Sequence, residues 1–286
     1  MSHSLRGGMK SRITKDDARL IGGVYVVLII AGSAAWYFFR EAAIIPFAAT
    51  CLLVALLAQF EGVRRTSEQL DKIRSDAFDD YRQFESLLSL HASLRAERPL
   101  PPLRDHSASP DLIAHAVSRM LSAPPELVVE LGSGSSTVFL ALCLERLGRG
   151  KLISIDHDAQ FAERTRAMLN EHGLSGHATV LHLPLEKVII GGREFLWYAV
   201  GDLRPDVPID FLFIDGPPYH VHPLARYPAL PLMLPLLARD ATIILDDANR
   251  PEELRITAMW RNEFPDLAIE ALPAEKGALL IRRQVP

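Results

Sequence analysis

Two long apolar runs open the chain, and a rhythm of short ones fills the rest. Residues 20–39 and 42–60 carry no charge and are separated by Arg40-Glu41. Each has about the length, ~20 residues, that a helix needs to cross hydrocarbon. Pro46 falls in the first turn of the second run, where it disturbs a helix least. From 61 to 97 the chain turns polar, with apolar positions at Leu70, Ile73, Ala77, Tyr81, Phe84 and Leu88. Their steps of three and four read as an amphipathic linker helix, lying on the following domain or pairing with a second chain. Arg98-Pro-Leu-Pro-Pro102 then breaks the helix and marks a boundary.

Beyond it, apolar runs alternate with helix-compatible segments. The pattern predicts a helix over 111–121, strand 127–131, helix 137–147, strand 151–156, helix 159–172 and strand 178–183. An irregular Gly-rich stretch with Trp197-Tyr198 follows, then strand 209–215, helix 223–238, strand 241–246 and helix 251–262. Runs at 267–272 and 278–282 flank Lys276-Gly277 as an antiparallel hairpin. Strands and helices alternating at this length imply an α/β fold, a mostly parallel sheet with helices on both faces. Ligands of such sheets sit beyond the carboxyl ends of the strands. Glu130, Asp156, Asp215, Asp246 and Asp247 stand at those ends.

The first βα turn carries the clearest chemistry. An apolar run ends on Glu130 and opens into Gly132-x-Gly134, and the next strand ends on Asp156, 24 positions after Gly132. Glycines let the backbone approach a ligand, and an acid at about that distance can accept both hydroxyls of a ribose. A dinucleotide fingerprint would place a third glycine where Thr137 stands. Glu130 before the turn also suits a cationic ligand better than a diphosphate. S-adenosylmethionine has a ribose, an ammonium and a sulfonium, and no phosphate. An NAD-dependent oxidoreductase on a Rossmann-type sheet and a non-enzymatic membrane scaffold are the alternatives.

Charge adds orientation. Arg6, Lys10, Arg12, Lys15 and Arg19 precede the first run; Arg64, Arg65, Lys72 and Arg74 follow the second; the turn between offers Arg40. The positive-inside rule puts both termini and the catalytic half in the cytoplasm, as a multi-pass protein of the plasma (inner) membrane. A cleaved signal peptide and a buried soluble hairpin are the competing readings of these runs. Small residues, Gly32, Ala35, Ala48 and Ala49, would let the two helices pack closely. The net charge of −4 gives no global basic field for nucleic acid. Cys51 and Cys143 lie in apolar runs and imply no disulfide framework. The expected organisation is a basic N-terminus (1–19), a transmembrane hairpin (20–60), the linker helix (61–98) and a catalytic domain (99–286).

The catalytic half resembles the class I S-adenosylmethionine-dependent methyltransferases. The resemblance rests on Glu130-Leu-Gly-Ser-Gly-Ser-Ser-Thr137, Ser154-Ile-Asp-His-Asp158, Phe213-Ile-Asp-Gly-Pro-Pro218, Ala225-Arg-Tyr-Pro-Ala-Leu230 and Leu245-Asp-Asp-Ala-Asn-Arg250. It implies a Rossmann-like, seven-stranded sheet whose last strand is antiparallel. It also implies that Glu130, Gly132, Gly134 and Ser136 surround the methionine portion of the cofactor. Asp156 would hold the ribose, with His157 and Glu186 bordering the adenine. Asp215 would lie near the sulfonium and the acceptor, and with His220 and His222 it is a candidate for moving the acceptor's proton. Small-molecule O-methyltransferases similar to the catechol enzymes bind a divalent ion with acids after the corresponding strands. Asp215, Asp246 and Asp247 are the counterparts here and would suit Mg²⁺, although Asp247 stands where asparagine is expected and Asn249 is displaced. The acceptor is expected to be a small or lipid-like molecule. A homodimer through residues 66–95 is a further expectation.

Overall fold

A computed structural model describes residues 15–39, 41–103, 107–201 and 203–284. Arg6, Lys10, Arg12 and Arg40, which carry part of the orientation argument, lie outside them. The chain divides into two compact units, Met1–Asp76 and Ala77–Pro286.

In the first unit, α1 (Lys15–Phe39) is followed by the start of α2 (Glu41–Leu94). α2 contains a stretch long and apolar enough to cross a membrane by length and composition, and α1 carries a shorter apolar stretch, Gly22–Phe38. A side chain at Gly32 would run into the ring of Phe47, so the absence of one lets that ring approach. Large apolar side chains stand exposed along both helices, among them Val27, Ile30, Trp36, Leu52, Leu56 and Phe60.

The second apolar run and the linker, expected as separate segments, are one element, because α2 runs unbroken until Leu94, where Arg95 takes a left-handed φ of 51°. The linker's apolar stripe does not cover the catalytic unit. Leu70, Ile73, Tyr81, Phe84 and Leu88 are all exposed, and another face, with Gln83, Leu90 and Leu94, is buried. The steps of three and four located the helix, and the stripe they mark is exposed.

The second unit is built on a seven-stranded sheet. Its elements are α3 (Pro110–Ser122), β1 (Leu127–Leu131), α4 (Ser135–Leu147), β2 (Lys151–Asp156), α5 (Ala159–Glu171), β3 (Ala178–His182), β4 (Leu185–Ile190), β5 (Arg193–Tyr198), β6 (Ile209–Ile214), α6 (Ala229–Met233), β7 (Leu237–Asp246), α7 (Pro251–Glu263), β8 (Leu267–Leu272) and β9 (Ala278–Arg283). The strand order is β3-β2-β1-β6-β7-β9-β8. The first five strands in that order pair parallel, and β9 is antiparallel to both its neighbours. This is the expected Rossmann-like arrangement. β1 is buried along its whole length, and β6 nearly so, as strands covered on both faces must be. One apolar cluster joins α3, α4 and the end of α2 to the sheet, and a second joins the β4–β5 hairpin, α6 and α7.

Two segments depart from the sequence reading. The stretch taken as irregular is the β4–β5 hairpin, a separate two-stranded sheet. Gly191 and Gly192, at φ 56° and 78°, form its two-residue turn, the conformation that tight hairpins demand. A Gly-Gly pair between apolar runs was the available signal. The helix expected over 223–238 shrinks to α6 and a 3₁₀ turn, and β7 begins at Leu237. Pro223, Pro228, Pro231 and Pro235 each lack the N–H that a longer helix would need.

Candidate active site

The first turn is tied down by carboxylates. Glu130, at the end of β1, is completely buried and accepts from the hydroxyls of Ser136, Thr137 and Ser154, each at 2.6 Å. Burial pushes its carboxyl up to about 7, against the pull of those three donors. The turn, α4 and β2 are therefore pinned to one side chain. Thr137, the residue that replaced the third glycine, also accepts from the N–H of Gly134 at 2.9 Å. Its hydroxyl performs a capping duty that a glycine could not.

Asp156 sits across the turn. Its Oδ2 accepts from the N–H and the hydroxyl of Ser133, at 3.0 and 2.7 Å, and its Oδ1 from the N–H of Asp158 at 2.9 Å. Nδ1 of His157 lies 3.5 Å from Oδ1. Burial works to raise the carboxyl, but the donors from His157, Asp158 and Ser133 prevail and hold it below the usual value. Gly132 takes a φ of 95°, a left-handed conformation, and a Cβ on it would stand 3.1 Å from the N of Gly216. Beside Gly134 the space is open, with nothing within 4 Å of a built Cβ. Backbone at that point could face a bound cofactor.

The far wall of the site is an acid cluster around one arginine. Asp215, just past β6, and Asp246 and Asp247, at the end of β7, bring one oxygen each within 4.8 Å of one another. Arg226 enters this group from the loop before α6. Its Nη2 donates to the main-chain oxygen of Asp215 (2.6 Å), to Oδ1 of Asp215 (3.1 Å) and to Oδ2 of Asp247 (3.0 Å). Its Nη1 donates to the main-chain oxygen of Asp246 at 2.8 Å, and Glu253 lies 3.9 Å from Nε. Burial and the neighbouring Asp246 drive the Asp215 carboxyl well above its ordinary range, with Arg226 opposing them. Burial and Asp247 push Asp246 up to about 6.

Of the other residues singled out in the sequence, His220 is exposed and stacks edge-on against Tyr219. His222 places Nδ1 2.6 Å from the oxygen of Pro223 and its ring beside Phe195 of β5. No contact joins either to Asp215 among the described residues. Glu186 is exposed on β4 opposite Trp197, rather than at the carboxyl end of β3 where the sequence put it. Two residues went unassigned in the sequence reading. Arg226 lay inside a quoted motif without a role, although several acids at neighbouring strand ends call for a cation. Tyr198, at the end of the unexpected hairpin, is fully buried, and its hydroxyl finds no partner among the described residues. That hydroxyl abuts Gly216, where any Cβ would collide with it. Burial and the charge of Asp156 raise its pKa well above the ordinary value, so the phenol stays a neutral donor.

A family model described as a methyltransferase domain matches residues 129–248. No curated protein matches the chain. Among solved structures, a methyltransferase from Podospora anserina bound to S-adenosylhomocysteine is 14% identical, with a TM-score of 0.50, over 70% of this chain and 88% of that one. An O-methyltransferase from Bacillus cereus in complex with S-adenosylhomocysteine is 18% identical, also at a TM-score of 0.50, over 73% and 97%. A Streptomyces achromogenes O-methyltransferase involved in tomaymycin synthesis, in complex with S-adenosylmethionine, is 20% identical at the same TM-score, over 73% and 96%. At these identities the likeness establishes the fold. Residues 129–248 thus match a methyltransferase domain, and the chain has the Rossmann-like fold of the methyltransferases it is similar to.

Proposed function

We propose that the protein is a membrane-anchored methyltransferase that moves the methyl group of S-adenosylmethionine to an oxygen of a small or lipid-like acceptor. The observation that carries this reading is the pairing of Asp156, at the end of β2, with the open backbone at Gly134. A ribose would meet the Asp156 carboxylate, which its donors keep ionised, and the methionine portion would lie along 132–134. Glu130 would act from below the turn, its buried carboxyl holding the loop through the hydroxyls of Ser136, Thr137 and Ser154. The three solved relatives support the cofactor, and the two O-methyltransferases among them support the acceptor atom.

Asp215 would take the acceptor's proton. Its side chain keeps 16% exposure, against 3% for Arg226 and 5% for Asp247, so it is the acid that opens toward a substrate. The hydroxyl of the acceptor gives its proton to that carboxylate as its oxygen attacks the methyl carbon. The carbon–sulfur bond breaks, and the sulfonium leaves as a neutral thioether. Holding both partners in line supplies much of the rate, because the leaving group needs no further activation. Incubating detergent-solubilised protein with labelled S-adenosylmethionine and membrane extract tests this function. Label should appear in an ether or ester product; no transfer to any extract component, with the cofactor demonstrably bound, would refute it.

Two exposed features support the anchor and a second copy. The apolar side chains of α1 and of the first part of α2 face outward in a way that suits lipid rather than water. Leu56, Val63, Leu70, Ala77 and Phe84 follow at steps of seven on α2, and all are exposed. A seven-residue apolar repeat is the spacing by which two parallel helices pair, which favours another copy of this chain as the occupant of that stripe.

A further inference from the structure

We infer that Arg226 is the resident cation of the Asp215–Asp246–Asp247 cluster, and that it takes the place a divalent metal ion would need. A Mg²⁺ ion shared by Asp215 and Asp247 would stand about 2.0–2.1 Å from an oxygen of each. Nη2 of Arg226 already stands 3.1 and 3.0 Å from an oxygen of each of those two carboxylates. Two cations cannot share that space. A metal would have to expel a guanidinium that is 3% exposed and anchored to the main-chain oxygens of both Asp215 and Asp246.

Most of the donor set is already engaged. Oδ2 of Asp247 accepts from both Arg226 and Arg250, the latter at 2.7 Å, and Oδ1 of Asp246 accepts from the N–H of Asp247 at 2.6 Å, while Oδ1 of Asp247 has no partner among the described residues. Arg226 keeps its charge at any relevant pH. Its planar fork is matched to carboxylate and carbonyl oxygens in a way no bare ion imitates. Arginine therefore does two things here. It balances a group of acids that could not otherwise be buried together, and it holds Asp215 by its backbone and one carboxylate oxygen. This inference goes beyond the proposed methyl transfer and does not depend on it.

The test uses the full chain in detergent and Mn²⁺ alone as the probe, followed by calorimetry, by the electron paramagnetic resonance of the ion, and by the shift in melting temperature. Wild type should show no Mn²⁺ uptake that Asp215→Asn removes. Arg226→Met, which empties the place between the carboxylates, should gain a Mn²⁺ site at least tenfold tighter than any in wild type, and Asp215→Asn should abolish it. If Arg226→Met is too unstable for calorimetry, Mn²⁺ should restore its thermal transition, because an ion bound only by the folded state raises the melting temperature. Arg226→Lys keeps the charge and should gain no site. Asp215-dependent Mn²⁺ binding by wild type would overturn the inference. So would an Arg226→Met protein that neither binds the ion nor is stabilised by it. Loss of methyl transfer alone, with these results intact, would count against the proposed function and not against Arg226.

Discussion

Ser133 donates to Asp156 twice, through its main-chain N–H at 3.0 Å and its hydroxyl at 2.7 Å, and both bonds end on the same oxygen, Oδ2. The acid that would hold a ribose is thus already held by the cofactor turn. Removing it should loosen both. Asp156→Ala is expected to weaken S-adenosylmethionine binding about tenfold or more by calorimetry, since charged hydrogen bonds contribute ~1.5–3 kcal/mol each. An unchanged dissociation constant in a folded variant would remove Asp156 from the cofactor site.

The elevated Asp215 carboxyl sets a pH dependence for transfer. A base must be unprotonated, and this acid loses its proton only above the usual carboxylate range. The rate should climb with pH there and fall away as acid returns the proton. Asp215→Asn should lose that limb and about 10²-fold or more in rate. A variant with full activity, or an unaltered pH profile, would show that another group moves the proton.

Glu130 predicts an effect on stability. Its folded carboxyl titrates at about 7, above an ordinary value of 4.5, so the folded chain keeps that proton longer than the unfolded one. The contribution is fully present below about pH 4.5 and is lost as pH rises through 7. Glu130→Gln cannot ionise, so its melting temperature should gain on wild type by several degrees between pH 5 and pH 8. Parallel curves for the two proteins would show that Glu130 is not the titrating group.

Tyr198 hides a hydroxyl that has no partner among the described residues. An unsatisfied buried hydroxyl costs about 1–3 kcal/mol, so Tyr198→Phe should raise the melting temperature of the ligand-free protein. If the hydroxyl meets a ligand, the same change should shrink the extra stabilisation that S-adenosylmethionine confers. No shift with or without ligand would leave the hydroxyl without energetic consequence.

Membrane orientation can be read with reporters active only outside the cytoplasm. One inserted at Arg40 should give signal, and one fused after Pro286 should give none. The opposite pattern would reverse the topology drawn from the flanking basic residues.

The parts of the fold that were legible in the sequence are those with local causes. β1, β2 and β6 read as apolar runs ending on acids, and the turn after β1 carried its glycines in plain view. The segment 223–238 misled because its apolar spacing looked helical while its prolines, acting through missing donors, decided otherwise. The β4–β5 hairpin hid behind a Gly-Gly pair that could equally have belonged to a loop. At the site, the acids announced themselves by position, but their partner did not. That one arginine meets Asp215, Asp246 and Asp247 depends on where a loop between β6 and β7 crosses the sheet edge. Burial partners are likewise a tertiary matter, which is why the sequence alone left the stripe on α2 open between the following domain and a second chain.

The contact of two bare backbones has a last consequence. A Cβ on Gly132 would press on Gly216 at 3.1 Å, and one on Gly216 would press on the Cα of Gly132 at 3.0 Å. The turn proposed to face the cofactor and the turn carrying Asp215 therefore form one wall, with no side chain between them to act as a cushion. Neither can thicken or lean toward the other, so a push on one is felt at once by its neighbour. Any adaptation to a different acceptor is driven away from this seam and out to the residues around the rim, where there is room to change.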